Sequence, residues 1–182
     1  RRPTRHTPAL FVGSVRLVKE TPSTLAAQRE IGYLPEGAPA YGDMTARGFL
    51  TFIARVRRLS GAEAGKAIDR AVEATELGGV LEQPIDTLSK GFRRRVGLAQ
   101  AILHNPPVLI MDEPTEGLSP VIVDQVEDML ITLGEEGEMG ILVIEQNIGV
   151  ATEVSDQVAI MVNGRVNRIM EASALAADRE LQ

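Results

Sequence analysis

The chain has 182 residues and a formal net charge of −6, and 44% of its residues are hydrophobic, which is enough for a packed core. Cysteine is absent and only two histidines occur, which excludes disulfides and thiolate nucleophiles and argues against a multi-histidine metal site. No apolar run approaches the roughly 20 residues that a membrane-spanning helix needs. Aromatic residues, at 3%, are scarce for a surface that stacks nucleic-acid bases.

The basic residues are concentrated early in the chain, since 16 of the 19 precede residue 111, whereas 15 of the 25 acidic residues follow it. Residues 1–11 are predicted to form a basic N-terminal tail, and residues 12–182 to form one domain. Most basic side chains are dispersed, as on solvated helix faces. We interpret Arg93, Arg94 and Arg95 in the same way, as surface residues or contacts with a partner domain, although one of them could hold phosphate charge.

Strand and helix patterns alternate along the chain. Strands are expected at residues 12–18 and 31–34, and helices at 43–59 and 62–77, with no strand signal anywhere in residues 43–87. The later predicted elements are a helix at 90–103, a strand at 108–111, a helix at 120–133, a strand at 140–144, a short helix at 148–155, a hairpin at 158–170 around Asn163-Gly164, and a helix at 172–181. This alternation predicts an α/β domain with a mainly parallel sheet and an all-helical insert.

Two local patterns refine these elements. The runs at 108–111 and 140–144 are continuously apolar, which is typical of parallel strands buried on both faces. Ser89 is a candidate N-cap for the helix at 90–103. His104, which follows that helix, is interpreted as a C-terminal cap that interacts favourably with the helix dipole.

The strongest chemical signal lies in residues 88–120. A helix N-terminus offers unpaired N–H groups and partial positive charge to a phosphate; the Ser89 hydroxyl can add a donor, and Gly91 lets the backbone come close to an anion. Asp112 ends a predicted parallel strand, where open α/β sheets bind their ligands, and its carboxylate can hold Mg²⁺ through water. Glu113 could polarise or orient an attacking water. Alone, Asp112-Glu113 could equally be a polar loop pair.

The motifs resemble those of ABC transporter ATPases. Leu88-Ser89-Lys90-Gly91-Phe92 is similar to the signature loop of that family, and residues 108–113 are similar to its Walker B strand. By this resemblance Asp112 serves Mg²⁺, Glu113 is the catalytic carboxylate, and Ser89, Lys90 and Gly91 contact ATP.

Three further positions depart from the residues usual in the family. Gln146 occupies the switch position usually held by histidine; it can hydrogen-bond a phosphate but cannot take a charge. Glu36 occupies the place of the Q-loop glutamine, where a carboxylate could contact Mg²⁺ or water. Ser119 stands in the place of the usual D-loop aspartate.

The resemblance implies a P-loop NTPase-like ABC ATPase fold with a helical subdomain at about 43–87. It implies ATP and Mg²⁺ as cofactors, and a transmembrane permease and a second ABC ATPase subunit as partners. The subunit would lie on the cytoplasmic face of the membrane, attached through the permease. Residues 31–118 look like exporter subunits of the ABC-2 and gliding-motility type, and residues 116–182 look like subunits of branched-chain amino acid or urea importers.

The P-loop motif G-x-x-x-x-G-K-[ST] does not occur in the 182 residues. Residues 61–67, GAEAGKA, have one spacer too few and no hydroxyl residue after the lysine, so a plain helix start is the better interpretation. We therefore expect the domain to lack its N-terminal P-loop segment and to bind ATP poorly alone. Alternatives are a non-catalytic ABC-fold fragment or interaction module, a hybrid joined near Asp112-Glu113-Pro114, and a nucleic-acid-binding relative. The net charge of −6 weighs against nucleic acid.

Overall fold

The computed structural model describes residues 24–37, 41–135 and 139–177. A three-stranded parallel sheet has the order β1 (Ile31–Leu34), β2 (Val108–Asp112) and β3 (Gly140–Ile144). Leu34 lies opposite Met111, and Asp112 lies opposite Ile144, so the carboxyl ends of the strands share one edge. The predicted α/β class with a parallel sheet is confirmed. The predicted tail at 1–11 and strand at 12–18 lie outside the described residues.

The helices and the remaining strands follow the predicted order, with one addition. They are α1 (Thr24–Arg29), α2 (Ala46–Val56), α3 (Gly61–Ala74), α4 (Lys90–Ile102), α5 (Pro120–Glu135), α6 (Ile148–Glu153), the hairpin strands β4 (Gln157–Val162) and β5 (Arg165–Glu171), and α7 (Ala172–Ala177). Helix α1 was not predicted, because six residues are too few to show a helical period. No helix in the described ranges is long and apolar enough to cross a membrane.

Between β1 and β2 the described chain contains two α-helices and two short 3-10 turns, and no strand. Helix α2 begins where Thr45 caps it, since the N–H of Gly48 donates to the Thr45 hydroxyl oxygen at 3.0 Å. Helix α3 ends at Ala74, earlier than predicted, because Glu76 has a positive φ of 52° and the N–H of Leu77 turns back to the carbonyl of Val72 at 3.1 Å. That these helices form a separate subdomain stays a prediction.

Among the described residues only one face of the sheet is fully buried, so the expectation that β2 and β3 are buried on both faces is not met there. Leu109 and Met111 are fully buried against α4 and its neighbours, whereas Val108 is 40% exposed and Ile144 is 38% exposed. An apolar run shows that a strand can be buried but not how many faces are covered. We call the uncovered side the open face; its apolar members are Ile31, Tyr33, Val108, Ile110, Leu142 and Ile144.

The hairpin of β4 and β5 is confirmed. Asn163 and Gly164 both have positive φ, at 50° and 73°, as a two-residue turn that matches the strand twist requires. The strands pair antiparallel from Gln157 opposite Glu171 to Val162 opposite Arg165. A small apolar cluster of Val158, Ala172 and Leu175 ties the hairpin to α7.

His104 is not a charged helix cap, which corrects the sequence interpretation. Both ring nitrogens are buried without a hydrogen bond of normal geometry. Burial and the positive charge of Arg57 lower the pKa of His104 to about 4, and the nearby backbone of Ile31 and Arg29 opposes this shift only in part. The imidazole is therefore neutral near pH 7 and cannot offer a cation to the carbonyls that end α4.

Candidate functional site

The predicted carboxylate and amide residues meet at the carboxyl edge of the sheet. Glu36 follows β1, Asp112 ends β2 and Glu113 follows it, and Gln146 follows β3. The backbone N–H of Gln146 donates to Oε2 of Glu113 at 3.4 Å, which joins the ends of β2 and β3. The structure thus brings together four residues from three separate stretches of the sequence.

The backbone at Glu113 has an unusual conformation. Its φ of 49° lies in the left-handed region, which a residue other than glycine adopts at an energetic cost and which is frequent at functional sites. The Glu113 N–H donates to the carbonyl of Ile144 at 2.9 Å, and its own carbonyl accepts from the N–H of Glu116 at 3.2 Å. These bonds hold the turn that aims the Glu113 side chain toward Gln146.

The site is strongly acidic. A hydrogen bond that the protonated Glu36 carboxyl donates to Glu116 and the negative charge of Glu116, together with desolvation and the charges of Asp112 and Glu113, raise the pKa of Glu36. Such mutual repulsion between carboxylates fits a site that a hard cation would stabilise. In the described ranges no three acidic or histidine side chains are arranged to hold a metal by themselves. A Mg²⁺ site needs only one or two protein carboxylates, its other ligands being water and phosphate oxygens, and Asp112 and Glu36 could supply these carboxylates.

The turn Ser89–Gly91 opens α4 as predicted. The Ser89 hydroxyl oxygen accepts from the N–H of Phe92 at 3.3 Å, which confirms it as the N-cap and leaves its proton free to donate. Gly91 is buried against α5, where a Cβ would lie 2.9 Å from a methyl group of Ile122. The Lys90 ammonium lies over Gly117, so tightly that a Cβ there would collide with it. The turn therefore packs against the segment that follows β2.

The three arginines of α4 differ in their surroundings, which corrects the prediction that they are surface residues. Arg94 and Arg95 are only 6% and 7% exposed. Arg95 donates to Glu76 at 2.7 Å and to Gln125 at 2.6 Å. Arg94 donates to backbone carbonyls of the loops after β1 and β2. The helical spacing of Gly91, Arg94, Arg95, Leu98 and Ile102 was the signal that places both side chains on the buried stripe.

Glu145 is a second residue that sequence reasoning did not single out. Its Oε1 accepts from the N–H of Thr115 at 2.9 Å and from the Thr115 hydroxyl at 2.6 Å. The carboxylate after β3 thereby fixes the turn after β2, two residues beyond Glu113. Thr115 is buried, so these two bonds satisfy its N–H and its hydroxyl, which water does not reach.

Comparison with known proteins identifies the family. The ABC transporter family model matches residues 11–116, more than half of the chain. An uncharacterized ABC transporter ATP-binding protein of Bacillus subtilis, YxlF, is 39% identical over 140 residues, which cover 77% of this chain and 47% of that protein. The methionine import ATP-binding protein MetN 3 of Shouchella clausii is 33% identical over 147 residues, which cover 80% of this chain and 43% of that protein.

Solved structures agree. The structure of cbiO1 from Clostridium perfringens, part of the ABC transporter complex cbiONQ, matches with a TM-score of 0.79 and 26% identity, covering 86% of this chain and 63% of that one. A dimeric ATP-binding cassette bound to ADP and Pi matches with a TM-score of 0.71 at 24% identity, over 81% of this chain and 66% of that one, and shows the shared fold. The chain spans less than half the length of the two relatives named above. It belongs to the family of ABC transporter ATP-binding proteins.

Proposed function

We propose that the chain forms the carboxylate and signature-turn side of an ATP-hydrolysing site in an ABC transporter. The observation that carries this is the meeting of Glu36, Asp112, Glu113 and Gln146 at one sheet edge. An edge formed by the carboxyl ends of parallel strands is where open α/β sheets bind ligands. The 182 residues contain no G-x-x-x-x-G-K-[ST] motif, so none of them is assigned the role of the P-loop that binds the ATP phosphates.

Each residue has a proposed role that fits its position. Asp112 and Glu36 hold Mg²⁺ through water, and the bound ion neutralises charge on the phosphates. Glu113 orients the attacking water and accepts its proton; its left-handed backbone presents the carboxylate at the end of β2. Gln146 donates its side-chain amide to the terminal phosphate.

The signature turn and the helical region serve partners in this proposal. Ser89, Lys90 and Gly91 at the N-terminus of α4 contact ATP held by a second ABC ATPase subunit, since N–H groups and positive charge favour phosphate there. Residues 43–87 form the helical subdomain that docks on a transmembrane permease at the cytoplasmic face of the membrane. The relative from Clostridium perfringens, part of a transporter complex, supports this kind of partner.

The test is ATP binding and hydrolysis by the affinity-tagged chain, purified once alone and once together with the chains that associate with it in cells. We expect weak Mg-ATP binding by the chain alone in a calorimetric titration, and hydrolysis by the associated complex. Replacing Glu113 by Gln should lower turnover by at least about 100-fold, because the carboxylate no longer accepts the proton of water.

The matched control is Glu63→Gln, the same chemical change on the exposed surface of α3, which should leave turnover within about twofold of the wild-type value. A complex that neither binds nor hydrolyses Mg-ATP would contradict the proposal. Wild-type turnover in the E113Q complex would contradict the role of Glu113. Tight binding by the chain alone would show that it contains a phosphate cradle of another kind.

A further inference from the structure

We infer that Arg94 is a positioning residue that fastens the two carboxylate-bearing loops of the site to the helix that carries the signature turn. This inference rests on the proposed function, since it assigns Arg94 a task in that reaction. Arg94 contacts no reacting group itself; it acts through the backbone of the loops that carry Glu36, Asp112 and Glu113.

All five N–H donors of the Arg94 guanidinium point at backbone carbonyls. Nε donates to the carbonyl of Pro114 at 2.9 Å, Nη1 to Pro35 at 2.8 Å, and Nη2 to Asp112 at 3.0 Å. The second proton of Nη1 reaches the carbonyl of Glu36, and that of Nη2 reaches the carbonyl of Glu113. One planar guanidinium thereby binds five backbone carbonyl oxygens, two in the loop after β1 and three at the end of β2 and in the loop that follows it.

The surroundings of Arg94 make these bonds strong. The side chain is buried, which lowers its pKa, although the carboxylates of Glu116, Glu145, Asp112 and Glu36 oppose that shift. No hydrogen bond from Arg94 to any carboxylate occurs in the described residues. Its charge offsets the repulsion among the acidic groups while its donors bind only the main chain. Hydrogen bonds with a charged donor contribute about twice as much as neutral ones.

The position of Arg94 on α4 connects these loops to the signature turn. Arg94 lies four residues after Lys90, one helical turn or about 6 Å along the axis. Since α4 is one continuous helix from Lys90 to Ile102, a shift of its N-terminus moves the guanidinium too. The neighbouring Arg95 has other partners, Glu76 on the turn after α3 and Gln125 on α5. Arg94 is thus the member of the trio that links the signature turn with the carboxylates.

A lysine at position 94 would keep the charge but not the geometry. Its ammonium has three donors on one atom, whereas the five carbonyls surround a planar fork. Arg94→Lys therefore separates the effect of the positive charge from the effect of the hydrogen bonds to the two loops. It also keeps a long, basic side chain at this buried position. Arg94→Ala would remove all five bonds together with the buried charge and could unfold the chain. R94K is for this reason the decisive variant, and Arg93→Lys, at a partly exposed position on the same helix, is its control.

The experiment compares wild type, R94K and R93K in two measurements. Hydrogen–deuterium exchange of the purified chain follows peptides that cover residues 35–37 and 112–118. ATP turnover of the tagged complex gives kcat and KM. For R94K we expect exchange in both loops to rise roughly tenfold with α2 and α3 unchanged. We also expect kcat to fall at least about tenfold and KM to stay within about twofold, because displaced carboxylates impair the chemical step.

Three results would overturn the inference. One is that both loops of R94K exchange hydrogen for deuterium as slowly as those of wild type. Another is faster exchange spread evenly over the chain, which would mean that Arg94 only adds to global stability. The third is that exchange in both loops of R94K becomes faster while kcat stays unchanged. If the wild-type complex hydrolyses no ATP, the proposed function fails, and the exchange data alone decide whether Arg94 fastens the loops.

Discussion

His104 shows how a single buried side chain links the fold to pH. The imidazole lies beside Arg57 at the end of α2 and just beyond α4, and its pKa is lowered to about 4. The unfolded chain would bind a proton at this residue below about pH 6.5, whereas the folded chain would not. The unfolded state therefore holds more protons than the folded state between about pH 4 and pH 6.5.

We predict that His104 makes the protein less stable as the pH falls through this window. The free energy of unfolding of wild type, relative to that of His104→Gln, should decrease by on the order of 1 kcal/mol from pH 7 to pH 4.5, and should be flat above pH 7. Urea denaturation at a series of pH values measures this difference, in which the titration of all other groups cancels. A constant difference across the range would show that His104 has an ordinary pKa in the folded protein.

Some of the site residues could be predicted from the sequence and others could not. Asp112 and Glu113 were predicted because they stand at the end of a strand pattern, where parallel sheets bind ligands. Glu36 and Gln146 were predicted from the resemblance to ABC transporter ATPases, in which their positions have known roles. Arg94 was assigned to the surface, because its acceptors are backbone carbonyls. Every residue has a backbone carbonyl, so no residue type in the sequence marks these acceptors. Its burial could still have been inferred from helical spacing, but its five bonds could not.

At the scale of elements, the contact between α4 and α5 depends on a missing side chain. Gly91 lies where a Cβ would come within 2.9 Å of Ile122, and the Ile122 group involved is a methyl on its branched Cβ, which cannot rotate away freely. Gly65 in α3 offers the opposite case, since nothing lies within 4 Å of a Cβ there. The two glycines form a matched pair for the same substitution.

We predict opposite signs for alanine at these two positions. Gly91→Ala should lower the free energy of unfolding by roughly 1–2 kcal/mol through overpacking, and adding Ile122→Ala should recover part of that loss. Gly65→Ala should raise it by about 0.5–1 kcal/mol, because alanine is favoured over glycine inside a helix. Chemical denaturation of wild type and these three variants measures the differences. A stabilising Gly91→Ala would mean that α4 and α5 are farther apart than described.

Element boundaries show where sequence reasoning stops. The strands β1 to β5 and the six helices α2 to α7 were predicted, because each carries a clear period or a capping residue. Helix α3 ended earlier than predicted, since Glu76 adopts the left-handed conformation that ends the helix before the glycine pair that was expected to close it. The number of covered faces of β2 depends on packing partners far away in the chain, and no local pattern contains that information.

At the scale of the whole molecule, the open face of the sheet exposes apolar side chains among the described residues. Tyr33, Val108 and Ile144 project from three adjacent strands and are 47%, 40% and 38% exposed. Contiguous apolar patches of this kind promote association. Burial of this face by another chain would stabilise the protein through the hydrophobic effect.

We predict that the purified chain associates through the open face. Val108→Thr combined with Ile144→Thr should shift the mass measured by light scattering toward the monomer and should reduce fluorescence of a hydrophobic dye by roughly half. Val121→Thr, which changes an apolar and even more exposed residue on α5, is the control and should change neither. A monodisperse wild-type monomer that unfolds cooperatively and binds no dye would disprove the prediction.

The five bonds of Arg94 also bear on how such a chain can change over generations. Every oxygen that Arg94 binds belongs to the peptide backbone, so no side chain in either loop is needed for the contact. Residues such as Glu36 can be exchanged by mutation, one after another, while the loops keep their places. A protein built in this way can acquire new chemistry at the loops without first losing the framework that holds them, and only a change at Arg94 itself would put both loops at risk together.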